Sequence, residues 1–290
     1  MFKKRVWRYI LFGFIWVVTL GGLVALMSFI EIKKAEVVCT QVKIYIPGSQ
    51  YFIDKEEVDN ILRVHSHALI GRKMEYINIH DLEKRLKANS FIESAKVYTD
   101  MDGIIRVEIS QRQPILRVMN QFNQDYYIDQ HGLKIPLSVN FTARVLAVNG
   151  YIEEVFGSKV DTLHTEIARE LYKTAEFISK NSLWDAQIAQ MYVNKDHEIE
   201  LVPRVGNNRI LLGNADSLDS KFHNLLVFYK QGLPQVGWDR YKTINIKYAN
   251  QVVGIKSDSF KADSLKAVAK AMAKADSVKK EKDTSQIIKD

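Results

Sequence analysis

From Tyr9 to Ile30 the sequence runs for 22 residues without a charged side chain, YILFGFIWVVTLGGLVALMSFI. No other stretch approaches this length, and no other feature limits so strongly what the chain can be. As a helix the run is about 33 Å long, roughly one hydrocarbon thickness, and it predicts a single transmembrane crossing. Trp7, Tyr9 and Phe12 near its start are side chains that favour the headgroup region. Gly21-Gly22 fits either a close helix contact or a lipid-facing position. A cleaved signal peptide would carry a shorter apolar region and a small-x-small cleavage site. Ile30-Glu31-Ile32-Lys33 follows instead, so the run reads as an uncleaved anchor. Lys3, Lys4, Arg5 and Arg8 precede it, whereas Glu31, Lys33, Lys34 and Glu36 balance after it. The positive-inside rule then puts residues 1–8 in the cytoplasm and the rest of the chain outside.

Composition matters here through its distribution. The formal net charge is +7, which by itself would suggest a polyanion partner. The first eight residues hold four positive charges and no negative one, and residues 256–290 hold nine Lys against six acids. These ends account for the whole excess. Residues 9–255 are neutral, so nucleic-acid binding is disfavoured. Residues 256–290, rich in Lys, Ala, Asp and Ser, read as a solvated, disordered tail, although Leu265, Val268 and Met272 leave room for a frayed helix that docks elsewhere. The single cysteine, Cys39, cannot form an internal disulfide. Charges separate it from the apolar run and Val37-Val38 precede it, against a lipid-modified cysteine.

Outside the anchor two domains are predicted, over residues 41–112 and 113–255. In the first, Gln41–Ile46 alternates as a strand. Asp54 is a helix N-cap with Glu57 three residues on, ahead of Val58, Ile61 and Leu62. Asn78 caps a second helix, with Asp81 at the third position and Ile79, Leu82 and Leu86 on its apolar face. Ala95–Thr99, the turn Asp100–Gly103, and the alternation of Ile105, Val107 and Ile109 form a hairpin. The order is β-α-α-β-β.

The second domain reads as mainly antiparallel β with two amphipathic helices. Its strand candidates are Ile115–Met119, Tyr126–Asp129, Arg144–Val148, Ile188–Val193, Glu198–Val202, Arg209–Leu212, Thr243–Tyr248 and Gln251–Ile255. Leu163, Ile167, Leu171, Ala175 and Ile178 line one helix. The other starts at Asp216, runs through Leu218, Phe222, Leu225, Leu226 and Tyr229, and stops at Gly232 with Pro234 beyond. The fold class is therefore α+β behind one transmembrane helix.

Reactive constellations are not found. His65-Ser-His67 lacks a third ligand at convincing spacing. No Walker loop, G-x-G-x-x-G, G-x-S-x-G or H-E-x-x-H occurs. Glu56-Glu57 and Glu153-Glu154 are adjacent acids that do not face a common cleft, and they read as solvated charges. No catalytic residue, metal ligand or cofactor is assigned.

Several segments carry a family resemblance. Phe52-Ile-Asp-Lys-Glu-Glu-Val58, Leu86-Lys-Ala-Asn-Ser-Phe-Ile-Glu-Ser-Ala-Lys-Val-Tyr98, Gly103-Ile-Ile-Arg-Val-Glu-Ile109 and Gln111-Arg-Gln-Pro-Ile115 lie in the first domain and its exit. Tyr127-Ile-Asp-Gln-His-Gly132, Pro203-Arg-Val-Gly206, Ile210-Leu-Leu-Gly213 and Ile244-Asn-Ile-Lys-Tyr-Ala-Asn-Gln-Val-Val253 lie in the second. In this order behind an anchor, they resemble the bacterial cell-division proteins of the FtsQ/DivIB family, in a Bacteroidetes-like version. The resemblance covers residues 1–255. The very short cytoplasmic segment and the Lys-rich tail depart from it.

The resemblance implies a non-catalytic bitopic protein of the inner membrane at the division septum, with a POTRA domain and a β domain in the periplasm. It implies coiled-coil partners of the FtsB/DivIC and FtsL kinds, and through them the septal peptidoglycan synthase pair FtsW and FtsI. It also directs attention to the last hairpin, where Tyr248, Asn250, Gln251, Val252 and Val253 are the candidate partner-binding residues. Asn250 and Gln251 would form the turn, Val252 and Val253 the last strand, and Tyr248 an aromatic anchor. Tyr248 could equally be a core or cross-strand aromatic. The alternatives from other classes are a POTRA-bearing component of protein export or outer-membrane assembly, and a periplasmic cell-wall enzyme. The chain has one POTRA-like unit, no repeat and no barrel pattern.

Overall fold

The computed structural model describes residues 7, 11–25, 37–48, 52–63, 68–100, 102–157, 159–248 and 250–257. The rest of the apolar run, nearly all of residues 1–8, the His65–His67 pair and the tail from residue 258 onward lie outside the described residues. Residues 11–25 form helix α1, with every side chain exposed. Thr19 turns its hydroxyl back onto the Ile15 and Trp16 carbonyls at 2.9 Å each, so this polar group is satisfied within the helix. No helix among the described residues is long and apolar enough to cross a membrane.

The chain divides into two compact units. The first comprises Met1–Arg112 with Ser138–Phe141, the second Gln113–Leu137 with Thr142–Asp290. In the first, β1 (Gln41–Tyr45), α2 (Lys55–Leu62), a 3₁₀ turn at Met74–Tyr76, α3 (Ile79–Lys87), β2 (Ile92–Thr99) and β3 (Ile104–Gln111) follow in the expected β-α-α-β-β order. The sheet order is β1-β3-β2, with β1 parallel to β3 and β2 antiparallel to it. Both expected caps are made. Asp54 accepts from the Glu57 amide at 2.7 Å, and Asn78 from the Asp81 amide at 3.2 Å. Val58, Leu62, Leu82 and Leu86 from the helices bury onto Ile105, Val107 and Ile109 of the central strand. The β2–β3 turn requires Gly103, whose φ is +74° and where a Cβ would strike the Val38 carbonyl. Gln111 is buried at the end of β3 because its side-chain carbonyl accepts the Phe52 and Ile53 amides at 3.0 and 3.2 Å.

The second unit is built on a ten-stranded mixed sheet. Its strands are β4 (Pro114–Met119), β5 (Asp125–Asp129), β6 (Leu133–Pro136), β7 (Leu146–Gly150), β8 (Asp161–Thr162), β9 (Ile188–Val193), β10 (Ile199–Pro203), β11 (Arg209–Gly213), β12 (Tyr241–Asn245) and β13 (Val253–Lys256). The spatial order is β13-β12-β11-β10-β9-β7-β4-β5-β6-β8. Antiparallel pairs dominate, but β4–β7, β7–β9 and β11–β12 are parallel. Helices α4 (Glu166–Ser179), α5 (Ser182–Gln187) and α6 (Leu218–Val227) cover the apolar face, where Leu116, Val118, Val148, Met191, Leu201, Ile210 and Ile244 meet Leu171, Ala175, Trp184, Phe222 and Leu225.

Four sequence expectations need correction. Strands β6 and β8 were not expected, because four and two residues give no readable alternation. Short α5, capped by Asn181, is a third helix. The α6 helix starts at Leu218, with Asp216 in the turn before it, and it does not stop at Gly232. It passes through a π-helical turn at Phe228–Gly232 into α7 (Leu233–Val236) and ends at Gly237, whose φ is +91°. Pro234 falls in the first turn of α7, where its missing N–H costs nothing.

The fourth correction is Glu154, which is 1% exposed and not a solvated charge. Its carboxylate takes the ammonium of equally buried Lys134 at 2.5 Å. It also accepts the His164 amide, the Thr165 amide at 2.7 Å and the Thr165 hydroxyl at 2.8 Å, at the N-terminus of α4. The acid thus ties β6 to α4 and sits against the positive end of a helix. Burial acts to raise its pKa, but Lys134 and the Thr165 and His164 donors outweigh that and hold it below the ordinary carboxylate value. A depressed native pKa gives stability that is present above the unfolded value, about 4.3, and is lost as pH falls through the native value. Lys134→Met should therefore cost about 3–5 kcal/mol, since it strands a buried carboxylate. In melting curves from pH 7 down to 3, the gap between the native protein and Glu154→Gln should shrink below about pH 4. A gap that stays constant over that range would contradict the account.

Candidate partner-binding edge

The candidate site is built on the last hairpin. Ile244 and Ile246 are fully buried and fix β12 on the core. β12 runs parallel to β11, and β13 then returns antiparallel to β12 at the end of the sheet. Gly254 in β13 has a packing reason. The Tyr241 ring lies over it, 2.5 Å from where a Cβ would be. On its far side Tyr241 meets Phe228 of the π turn, with ring centroids 5.7 Å apart. An aromatic series continues through Tyr229, Trp184 and Phe222. It couples the hairpin to α5 and α6, and burial lifts the Tyr229 phenol to about 12.

The structure places the five candidate residues along 248–253, in a chain whose strands are shorter than the sequence suggests. β12 begins at Tyr241 and ends at Asn245, not at Tyr248, and β13 begins at Val253, not at Gln251. The connection is wide. Asn245 accepts the Lys247 amide at 2.9 Å, the Gln251 amide reaches the Tyr248 carbonyl at 3.3 Å, and the Lys247 ammonium pairs with Glu198. That partner raises the Lys247 pKa. Tyr248 is 56% exposed, so it is not a core aromatic. Asn250 and Gln251 are exposed in the connection, Val252 packs partly on the core, and Val253 opens the strand with 44% of its surface exposed.

The edge itself is chemically specific. The Ser257 amide donates inward to the Arg240 carbonyl at 3.0 Å. Backbone groups alternate along a strand, so Ile255 and Val253 also face β12 while Gly254 between them faces away from it. On the sheet face away from the helices, Val253 and Ile255 stand beside this edge, opposite Asn245 and Thr243. Beside the connection opens a groove of about 390 Å³, lined by Asn224, Val227, Phe228, Gln231 and Gly232 together with Asn250, Gln251 and Val252. The helical half of this groove was missed from the sequence, because Gly232 reads as a helix stop and nothing in its neighbours signals a π turn. Among the described residues no group of three His, Cys, Asp or Glu side chains could hold a metal ion.

The comparisons agree with this layout. A family model described as FtsQ/DivIB, C-terminal related, matches residues 113–255, and one for a POTRA-like domain matches residues 37–110. The chain belongs to the FtsQ/DivIB family. No curated protein matches the sequence. With the FtsQ/DivIB family comes a scaffold role in cell division, and the POTRA-like and C-terminal related matches follow one another in the chain. The site geometry makes a separable prediction. Tyr248→Ala should shift stability by no more than about 0.5 kcal/mol, as for an exposed side chain. Ile244→Ala, four residues earlier and fully buried, should cost about 2–5 kcal/mol. Equal losses in melting experiments would put the Tyr248 ring in the core.

Proposed function

We propose that this protein is a non-catalytic bitopic scaffold of the bacterial divisome. In this reading residues 1–8 are cytoplasmic and residues 9–30 cross the inner membrane once. A POTRA-like domain (residues 41–112) and a β domain (residues 113–255) act in the periplasm at the septum. The β domain binds coiled-coil division proteins of the FtsB/DivIC and FtsL kinds and links them to septal peptidoglycan synthesis by FtsW and FtsI. Tyr248, Asn250, Gln251, Val252 and Val253 mark the contact.

The observation that carries the proposal is β13, the last strand of the sheet among the described residues, which carries exposed Val253 and Ile255. An extended partner segment can pair with such an edge, main-chain hydrogen bonds giving affinity and alternate side chains giving specificity. Apolar residues on the partner strand, opposite Val253 and Ile255, complete cross-strand pairs.

The test uses the full-length protein captured from detergent-solubilised membranes. Native protein should recover coiled-coil division proteins. Val253→Lys with Ile255→Lys replaces the two exposed apolar side chains of β13 and leaves the backbone ladder to β12 in place, so it should leave the fold intact. It should weaken the partner about tenfold or more, which is about 1.4 kcal/mol. Recovery of outer-membrane assembly factors instead, or full partner recovery by the Val253→Lys, Ile255→Lys variant, would overturn the proposal.

A further inference from the structure

The end of the first unit that the chain enters first carries exposed apolar side chains that its core does not use. Residues 37–39 run antiparallel to residues 71–74. Val38 bridges Lys73, the Cys39 amide donates to the Arg72 carbonyl at 2.7 Å, the Gly71 amide to the Cys39 carbonyl at 2.8 Å, and the Met74 amide to the Val37 carbonyl at 2.9 Å. Cys39, Leu69 and Ile77 turn inward and are buried. Val38, Ile70 and Tyr76 are 41%, 59% and 73% exposed. Charges at this end roughly cancel. Glu75 follows Arg72 and Lys73 in the chain, Asp102 lies in the β2–β3 turn, and Asp100 is held by Arg106 at 2.7 Å. Exposed aliphatic and tyrosine side chains in balanced charge suit the headgroup interface of a bilayer better than a polyanion.

Chain length supplies the second half. Six residues, Glu31 to Glu36, separate Ile30 from Val37. Even fully extended, that connection reaches at most roughly 25 Å. If Tyr9–Ile30 spans the membrane, the reading on which this inference rests, the patch stays within that distance of the bilayer surface. So short a tether gives an effective concentration in the millimolar range, enough to populate a weak contact. We propose that Val38, Ile70 and Tyr76 form a membrane-contacting rim that seats the POTRA-like unit in the headgroup region of the bilayer holding its own anchor. The rim lies at the end of the small sheet where Gln41 pairs with Ile104 and Thr99 with Ile105. Lys87 closes α3 near the start of β2, at the opposite end, about 23 Å away along the strand. The unit therefore stands with β2 rising from the membrane.

The experiment uses the full chain in phosphatidylcholine vesicles that contain a lipid with a nitroxide on its headgroup. A fluorophore is attached at Glu75→Cys or at Lys87→Cys. Cys39 is 1% exposed, and the unsubstituted protein serves as the labelling blank. Quenching should be several-fold stronger at position 75 than at 87. Ile70→Ser with Tyr76→Ser should bring it down to the level at 87, with co-flotation and melting unchanged. Equal quenching at both positions in protein that floats with the vesicles would overturn the rim. So would quenching at 75 that requires anionic lipid and vanishes in high salt, since Arg72 and Lys73 would then carry the contact. Protein that does not float with vesicles would remove the transmembrane reading, and the rim with it.

Discussion

A ten-stranded open sheet has two edges, and the second unit treats them differently. At one end β8 is two residues long, too short to template another chain. At the other end β13 is longer and carries exposed Val253 and Ile255. Edge strands are usually blunted, and the proposed partner contact rests on this one keeping two exposed apolar side chains. The same edge needs a rigid support. Tyr241 over Gly254, Phe228 behind Tyr241, and buried Ile244 and Ile246 hold the last hairpin to the helices. A partner strand would therefore meet a preformed template and avoid much of the ordering cost that binding to a flexible segment would add.

The far end of the sheet is stabilised by different chemistry. There Lys134 and Glu154 are both 1% exposed, and each is satisfied by further partners: the Val155 carbonyl for the ammonium, and the Thr165 and His164 donors for the carboxylate. A buried pair of this kind adds little net stability over apolar residues, but it fixes geometry, because neither charge can be left alone. It sets where the chain after β7 must lie and where α4 must begin. Buried Lys221 plays a comparable part under β11, donating to the Leu212 and Asn214 carbonyls, and burial lowers its pKa.

Local rules made much of this legible in the sequence. Asp54 and Asn78 cap their helices as the spacing of Glu57 and Asp81 implies, and Ile105, Val107 and Ile109 alternate into the core. Strand β9 has the expected bounds because Ile188–Val193 sits between clear breaks. What stayed hidden depends on long-range placement. Glu154 follows Glu153 and resembles a solvated pair, and only the fold brings Lys134 and the start of α4 to it. Lys134 makes β6 unreadable, because its inward position is filled by a charge. Gly232 and Pro234 together imitate a helix end, yet the packing of Phe228 and Leu233 carries the helix on through a π turn. At the candidate site the strand limits around residues 248–253 were not legible. Val252 belongs to the connection, and the groove wall from α6 has no sequence signature.

Hydrogen exchange at the edge tests the account most directly. The Gly254 amide should exchange quickly in the isolated protein and become protected once the coiled-coil partner binds. Val253 and Ile255, already paired with β12, should change little. A bound partner that leaves Gly254 exchanging at its free rate would contradict strand addition at β13.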